Sequence, residues 1–185
     1  MGSGNATNGW MEIEDVHLAR LRDLRWHADA RGALTELFRE SWEGSRNFAP
    51  GSEHLGAVRQ VYLSETEPGV VKGFHVHRIQ WDRFACLRGM VLVVLADARP
   101  DSPTLHNVWE IVLDPDRAHR MLVIPPGVLH GWMALPGSGR SAVLNCVSRE
   151  YSPPGSQGCD EYRVGAHDPL WEGGGSYDWH RRRDE

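Results

Sequence analysis

Residues 119–135 read "HRMLVIPPGVLHGWMAL": an apolar run, a Pro-Pro-Gly break, and a second apolar run that contains His130. Each run has the length and composition of a strand, and the break is turn chemistry, because Pro fixes φ and Gly permits positive φ. The same grammar extends in both directions. "AVRQVYLSE" (57–65), "VVKGFHVH" (70–77), "RFACLRG" (83–89), "MVLVVLADA" (90–98), "NVWEIVLD" (107–114) and "SAVLNCVS" (141–148) are further short runs rich in Val, Leu and Ile. "EPG", "RPDSP", "DPD" and "PGSG" separate them. Many short strands with no alternating helices predict an all-β fold, a sandwich or barrel of jelly-roll type.

The flanks are less regular. "DVHLARLRDLRW" (15–26) reads as a short helix or an early strand, and the Gly- and Pro-rich segment after 151 as irregular structure packed over the barrel. Residues 1–10 read as a flexible polar tail and 11–185 as one domain, a size that buries a real core without staples. The formal charge of -5 argues against a broad nucleic-acid footprint. No apolar run approaches the roughly 20 residues that span a bilayer, and no signal-peptide pattern opens the chain. Three cysteines without CxxC spacing are no disulfide framework and fit a reducing, cytoplasmic setting.

"GFHVHRIQWD" (73–82) carries the chemistry. Alternate strand side chains share a face, so His75 and His77 project together while Phe74 and Val76 take the other side. If that face lines the barrel interior, the pair meets a small-molecule cavity. Asp82 follows His77 after four residues, and His130 follows the "PPG" turn. Three imidazoles and a carboxylate suit a first-row divalent metal (Fe, Mn, Ni or Zn) with positions left for water or substrate. They equally suit a hydrogen-bonded pocket. Trp132 falls where it would pack in the core or line the pocket mouth, and Arg59 either points inward at a phosphate or is solvated.

The spacing resembles the two cupin motifs, G-x5-H-x-H-x3-4-E-x6-G and P-x-G-x2-H-x3-N, with Asp82 for Glu and Ala134 for the closing Asn. A second resemblance runs from about residue 31 to 169. "RGALTELF", "GVVKGFHVH", "LRG", "ADARPDSPT", "IPPGVLHGWMAL", "YSP" and "HDP" occur in the order found in dTDP-4-dehydrorhamnose 3,5-epimerases. Those are cupin-fold enzymes that need no metal and move protons next to the 4-keto group of a nucleotide-linked sugar. The resemblance implies His75 as base, Asp168 as the carboxylate that orients it, with Asp160 in reserve, and Tyr151 as acid. It implies His130 near the sugar, Lys72 at the diphosphate, and a homodimer in which the segment of Arg31 and Glu36 reaches a neighbouring subunit's nucleotide. Leu34 replaces the aromatic expected there.

Two departures coincide. The family's catalytic lysine falls on Asp82, and the glutamine of its "GLHYQ" on His77. An anion destabilises an enolate that a cation would stabilise, and these same changes complete the metal pattern. Three readings remain: an epimerase; a metal-dependent isomerase or dioxygenase using His75, His77, Asp82 and His130; and a non-catalytic sugar-binding cupin.

Overall fold

The computed structural model describes residues 9–43 and 57–180. Most of the tail expected at 1–10 and the terminal "RRRDE" lie outside the described residues. Four short strands come first: β1 (Met11–Glu12), β2 (Arg20–Asp23), β3 (Trp26–Asp29) and β4 (Gly32–Thr35). After a 3-10 turn at Glu40–Glu43 come β5 (Gln60–Thr66), β6 (Val71–His77), β7 (Asp82–Arg88) and β8 (Val91–Asp97). They are followed by β9 (Val108–Leu113), β10 (Arg120–Ile124), β11 (Val128–Ala134), β12 (Ser141–Val147) and β13 (Glu161–Arg163).

A six-stranded sheet has the order β1-β2-β10-β7-β12-β5 and a five-stranded sheet the order β13-β6-β11-β8-β9, all pairings antiparallel; β3 and β4 form a separate hairpin. This is the cupin-type jelly roll. Strand alternation builds its core. Val91, Val93 and Leu95 meet Phe84, Cys86, Leu122, Ile124 and Val143 between the sheets. Leu92, Val94 and Ala96 face outward, under Leu170, Tyr177 and Trp179 of the C-terminal segment. "MVLVVLADA" is continuously apolar because β8 is covered on both faces.

The N-terminal segment covers the other sheet, where Trp10, Leu24, Trp81, Ala85, Met121, Val123 and Cys146 pack together. Trp10, which the sequence leaves with the tail, is buried and donates its indole N–H to the carbonyl of Trp42 at 2.8 Å. Region 15–26 holds no helix: it begins as a turn and forms strand at Arg20–Asp23, where Leu21 of β2 enters the core between the sheets. No helix among the described residues is long and apolar enough to cross a membrane. None of Cys86, Cys146 and Cys159 is in a disulfide. Burial pushes the Cys86 thiol up to about 11, which makes it a poor nucleophile.

Candidate active site

At one end of the sandwich the inner faces part around a cavity of about 540 Å³. His75 and His77 of β6 share a face, as their parity requires, and that face lines the cavity, while Phe74 packs under the C-terminal segment. β6 runs between β11 and β13, so His75 stands opposite His130 on one side and Arg163 on the other, and His77 opposite Glu161. Asp82, Tyr62 and Asn145 close the cavity from the six-stranded sheet. Phe84 and Trp132, edge to face at 5.2 Å, form its apolar floor. A second cavity of about 330 Å³ adjoins it. Both are lined by Tyr62, His77, Glu161 and Arg163, and Tyr151 lines the second.

Buried Asp82 organises the polar wall. Its Oδ1 accepts from the amide of Asn145 at 2.7 Å and that of Gln80 at 3.1 Å. Asn145 also donates to the Tyr62 hydroxyl at 2.9 Å, and its carbonyl accepts the backbone N–H of Arg83. Burial, then the Asp82 charge, push the Tyr62 phenol up to about 12. Asp82 Oδ2 lies 3.8 Å from His77 Nε2 and 3.7 Å from His130 Nε2, too far for hydrogen bonds. His130 Nδ1 is 3.0 Å from the carbonyl of Val128. A carbonyl only accepts, so Nδ1 carries the proton and Nε2 presents a lone pair.

His75 is half-buried, with its ring centre 6.1 Å from that of His130 and 6.4 Å from that of Trp132. Burial, then the neighbouring His130, lower its pKa to about 4, against an opposing pull from Glu161. It is therefore a neutral imidazole near pH 7. Burial likewise lowers the pKa of His130, more than Asp82 raises it. Glu161 accepts a bond from Arg163 Nε at 2.5 Å. Burial opposes its charge, but that bond and nearby His75 outweigh it and hold its pKa below the ordinary carboxylate value.

A neutral imidazole in a polar-walled cavity of a jelly roll is the arrangement the sequence resemblance implies. The dTDP-4-dehydrorhamnose 3,5-epimerase family model matches residues 11–165. The chain belongs to that family. It is 32% identical over 140 residues to the probable low-salt glycan biosynthesis epimerase Agl13 of Haloferax volcanii, covering 75% of this chain and 83% of that protein. It is 32% identical over 147 residues to the dTDP-4-dehydrorhamnose 3,5-epimerase of Mycobacterium tuberculosis, covering 78% of this chain and 66% of that one. Among solved structures, a dTDP sugar isomerase from Desulfovibrio desulfuricans is similar with a TM-score of 0.68 and 28% identity, over 84% of this chain and 88% of that one.

Against the family pattern, the structure brings together His75, His77, Asp82, His130, Lys72 and Trp132. Lys72 Nζ donates to Ser64 Oγ at 2.8 Å and the Glu65 carbonyl at 2.6 Å, at the cavity rim. The Trp132 indole donates to Thr66 at 3.1 Å. His75 falls outside the compact donor cluster, which contains only His77, Asp82 and His130, so the four-residue metal set reduces to three.

Other expected residues lie elsewhere. Asp168 is exposed, accepting the Gly165 N–H at 3.0 Å in the turn after β13. Asp160 accepts the N–H groups of Arg78, Ile79 and Gln80 at 2.9–3.2 Å, fixing the turn that leads to Asp82. Two carboxylates, Asp82 and Glu161, share the cavity with His75, and Glu161 is the one whose charge acts on the imidazole. Arg59 precedes β5 and is exposed with Val61, because the opposite parity, Gln60 and Tyr62, faces the cavities. Arg31 pairs with Asp29 on the exposed hairpin, and Glu36 with Arg39, both away from the cavity within this chain. Glu161, Arg163, Tyr62 and Asn145 were missed. Asn145, one polar side chain inside the apolar run "SAVLNCVS", was the available signal.

Proposed function

We propose that this chain epimerises a nucleotide-linked, dTDP-type 4-keto-6-deoxy sugar next to its carbonyl, with His75 as base and Tyr151 as acid. The observation that carries the proposal is a neutral His75 lining one cavity, with Tyr151 lining the adjoining cavity that shares Tyr62, His77, Glu161 and Arg163 with it. The 4-keto group acidifies the neighbouring C–H. His75 takes that proton, the C–H electron pair becomes the C=C bond of an enolate, and the charge moves to the 4-oxygen. The Tyr151 hydroxyl returns a proton to the opposite face, and the inverted ketone re-forms. The imidazolium and phenolate left behind exchange protons with water. Bond order is restored without net oxidation, and no organic cofactor enters the sequence of transfers. Lys72 and Arg163 are the cationic side chains that line the cavity for the diphosphate and the enolate oxygen.

Family membership and this geometry favour the epimerase over a binding-only cupin, because a pocket that merely held a sugar would need no proton acceptor beside it. A homodimer is part of the same proposal. The β3–β4 hairpin exposes Trp26 and Leu34, each 60% accessible, and outer strand β5 exposes Val61 and Leu63. A second copy would cover this apolar surface, and Arg31 and Glu36 would then approach the partner's site. A cytoplasmic setting suits three cysteines outside any disulfide. Incubation with dTDP-4-keto-6-deoxyglucose should give a product whose proton couplings report inversion at C3, C5 or both. No conversion across dTDP-, UDP-, GDP- and CDP-linked keto-sugars would refute the activity. A monomer in sedimentation would refute the dimer.

A further inference from the structure

Beyond proton transfer, the cavity wall beside His75 holds a feature that the proposed chemistry leaves unused. Three buried acceptor atoms, Asp82 Oδ2, His77 Nε2 and His130 Nε2, lie within 4.8 Å of one another. One donor touches the group, the Gln80 amide 3.2 Å from His77 Nε2, and among the described residues none reaches Oδ2. Gln80 and Asn145 both donate to the other carboxylate oxygen, Oδ1. The His130 proton is committed to the Val128 carbonyl on the far side of its ring. Oδ2 therefore faces two imidazole nitrogens at 3.7 and 3.8 Å with no hydrogen between them. Oδ1 is satisfied by two amides, but a buried carboxylate oxygen that faces only lone pairs is costly. A cation between the three atoms removes that cost.

We propose that His77, Asp82 and His130 bind a first-row divalent cation, with Zn, Mn, Fe or Ni as candidates. Two imidazoles and one carboxylate are a donor set such ions accept, with open positions for water or substrate. Metal–ligand bonds of about 2.0–2.2 Å require the three atoms to draw in by a few tenths of an ångström. Val128 already supplies the outer hydrogen bond that orients a ligating histidine. At His77 the ion displaces the Gln80 amide, now 3.2 Å away, and Gln80 keeps its bond to Asp82. His75 stays outside the set and keeps its lone pair. Resting on the proposed epimerase reading, the ion would sit in the wall of the cavity that holds His75, where a Lewis acid can draw charge from the sugar's 4-oxygen.

The test begins with untagged protein stripped by chelator and dialysed metal-free. Zn²⁺ and Mn²⁺ are then titrated by equilibrium dialysis, and Co²⁺ by its visible absorption. The site predicts saturation at a single equivalent per chain and a rise in thermal midpoint on loading. Asp82→Asn should weaken binding on the order of 100-fold or more and abolish the midpoint rise. His75→Ala should retain both, which separates the ion site from the base. No binding by folded wild-type protein, or equal binding by Asp82→Asn, overturns the proposal. Solvent-deuterium exchange into a keto-sugar, run on stripped and loaded protein, tests the ion's role. Exchange that depends on loading supports the Lewis-acid role, and equal exchange in both overturns it. A loaded protein that exchanges no sugar sinks the epimerase reading and leaves the ion site standing.

Discussion

Gly131 and Gly73 face each other where β11 and β6 run side by side, and Gly131→Ala tests whether that close approach holds the site together. A Cβ on Gly131 would lie 2.8 Å from Gly73 Cα and 2.9 Å from the Lys72 carbonyl oxygen. Both obstacles are backbone, so no rotamer relieves them. Reaching ordinary contact at 3.4 Å means parting the strands by 3.4 − 2.8 = 0.6 Å. The ladder concerned pairs His130 with His75 and Trp132 with Lys72, with an irregularity between them. Forced overpacking of this kind costs about 1–3 kcal/mol. At roughly 2–4 °C per kcal/mol for a chain of this size, the thermal midpoint should fall by about 2–12 °C. A displacement of that order between base and pocket should also slow deuterium exchange by roughly tenfold or more. Gly175→Ala, which meets nothing within 4 Å, serves as the control. A Gly131→Ala protein that melts within a degree of wild type and exchanges at full rate would refute the reasoning.

Other substitutions probe other parts of the account. Glu161→Gln should reduce exchange about 10- to 100-fold by removing the cavity carboxylate whose charge acts on His75, while Asp168→Asn should leave it unchanged; the reverse pattern would return the orienting role to Asp168. Buried Asp97 is opposed by desolvation, but Arg99, Ser102 and Thr104 donate to it and hold its pKa well below the usual carboxylate value. Its contribution is therefore present above the unfolded-state pKa near 4 and is lost as pH falls below it toward the folded value. Asp97→Asn should cost about 1.5–3 kcal/mol at pH 7 and flatten that acid loss in urea titrations; an unchanged acid limb would refute the assignment. Trp179 is 1% exposed, under the outer face of the five-stranded sheet. Trp179→Ala should cost about 3–5 kcal/mol, and a loss under about 1 kcal/mol would show that the C-terminal cover is dispensable.

The strands from 57 to 148 were legible because their apolar periodicity and the turn residues between them agree. The segment 15–26 was ambiguous because its charges hide a single inward side chain, Leu21. That His75 and His77 share a face could be read from parity alone; that this face lines the cavity could not, because the apolar cover over Phe74 and Val76 comes from the distant C-terminal segment. Arg59 could not, because "VRQVYLSE" carries polar residues on both parities and only pairing with β12 decides which faces the cavity. Glu161 was illegible for a related reason. β13 is three residues long and exists as a strand only through β6, so nothing local marks Glu161 and Arg163 as cavity residues. Asp168 was carried over from a short motif, and the turn around it places the carboxylate on a backbone N–H instead.

Incubation of the protein with a dTDP-linked 4-keto-6-deoxy sugar in D2O, followed by mass spectrometry and proton NMR, tests the central claim most directly. The account predicts loss of the C3 or C5 proton signal, with a gain of one mass unit for each exchanged position. Exchange should be suppressed in His75→Ala, and in Tyr151→Phe the product should fail to invert. Unlabelled sugar recovered from folded wild-type protein, or full exchange by His75→Ala, would contradict it.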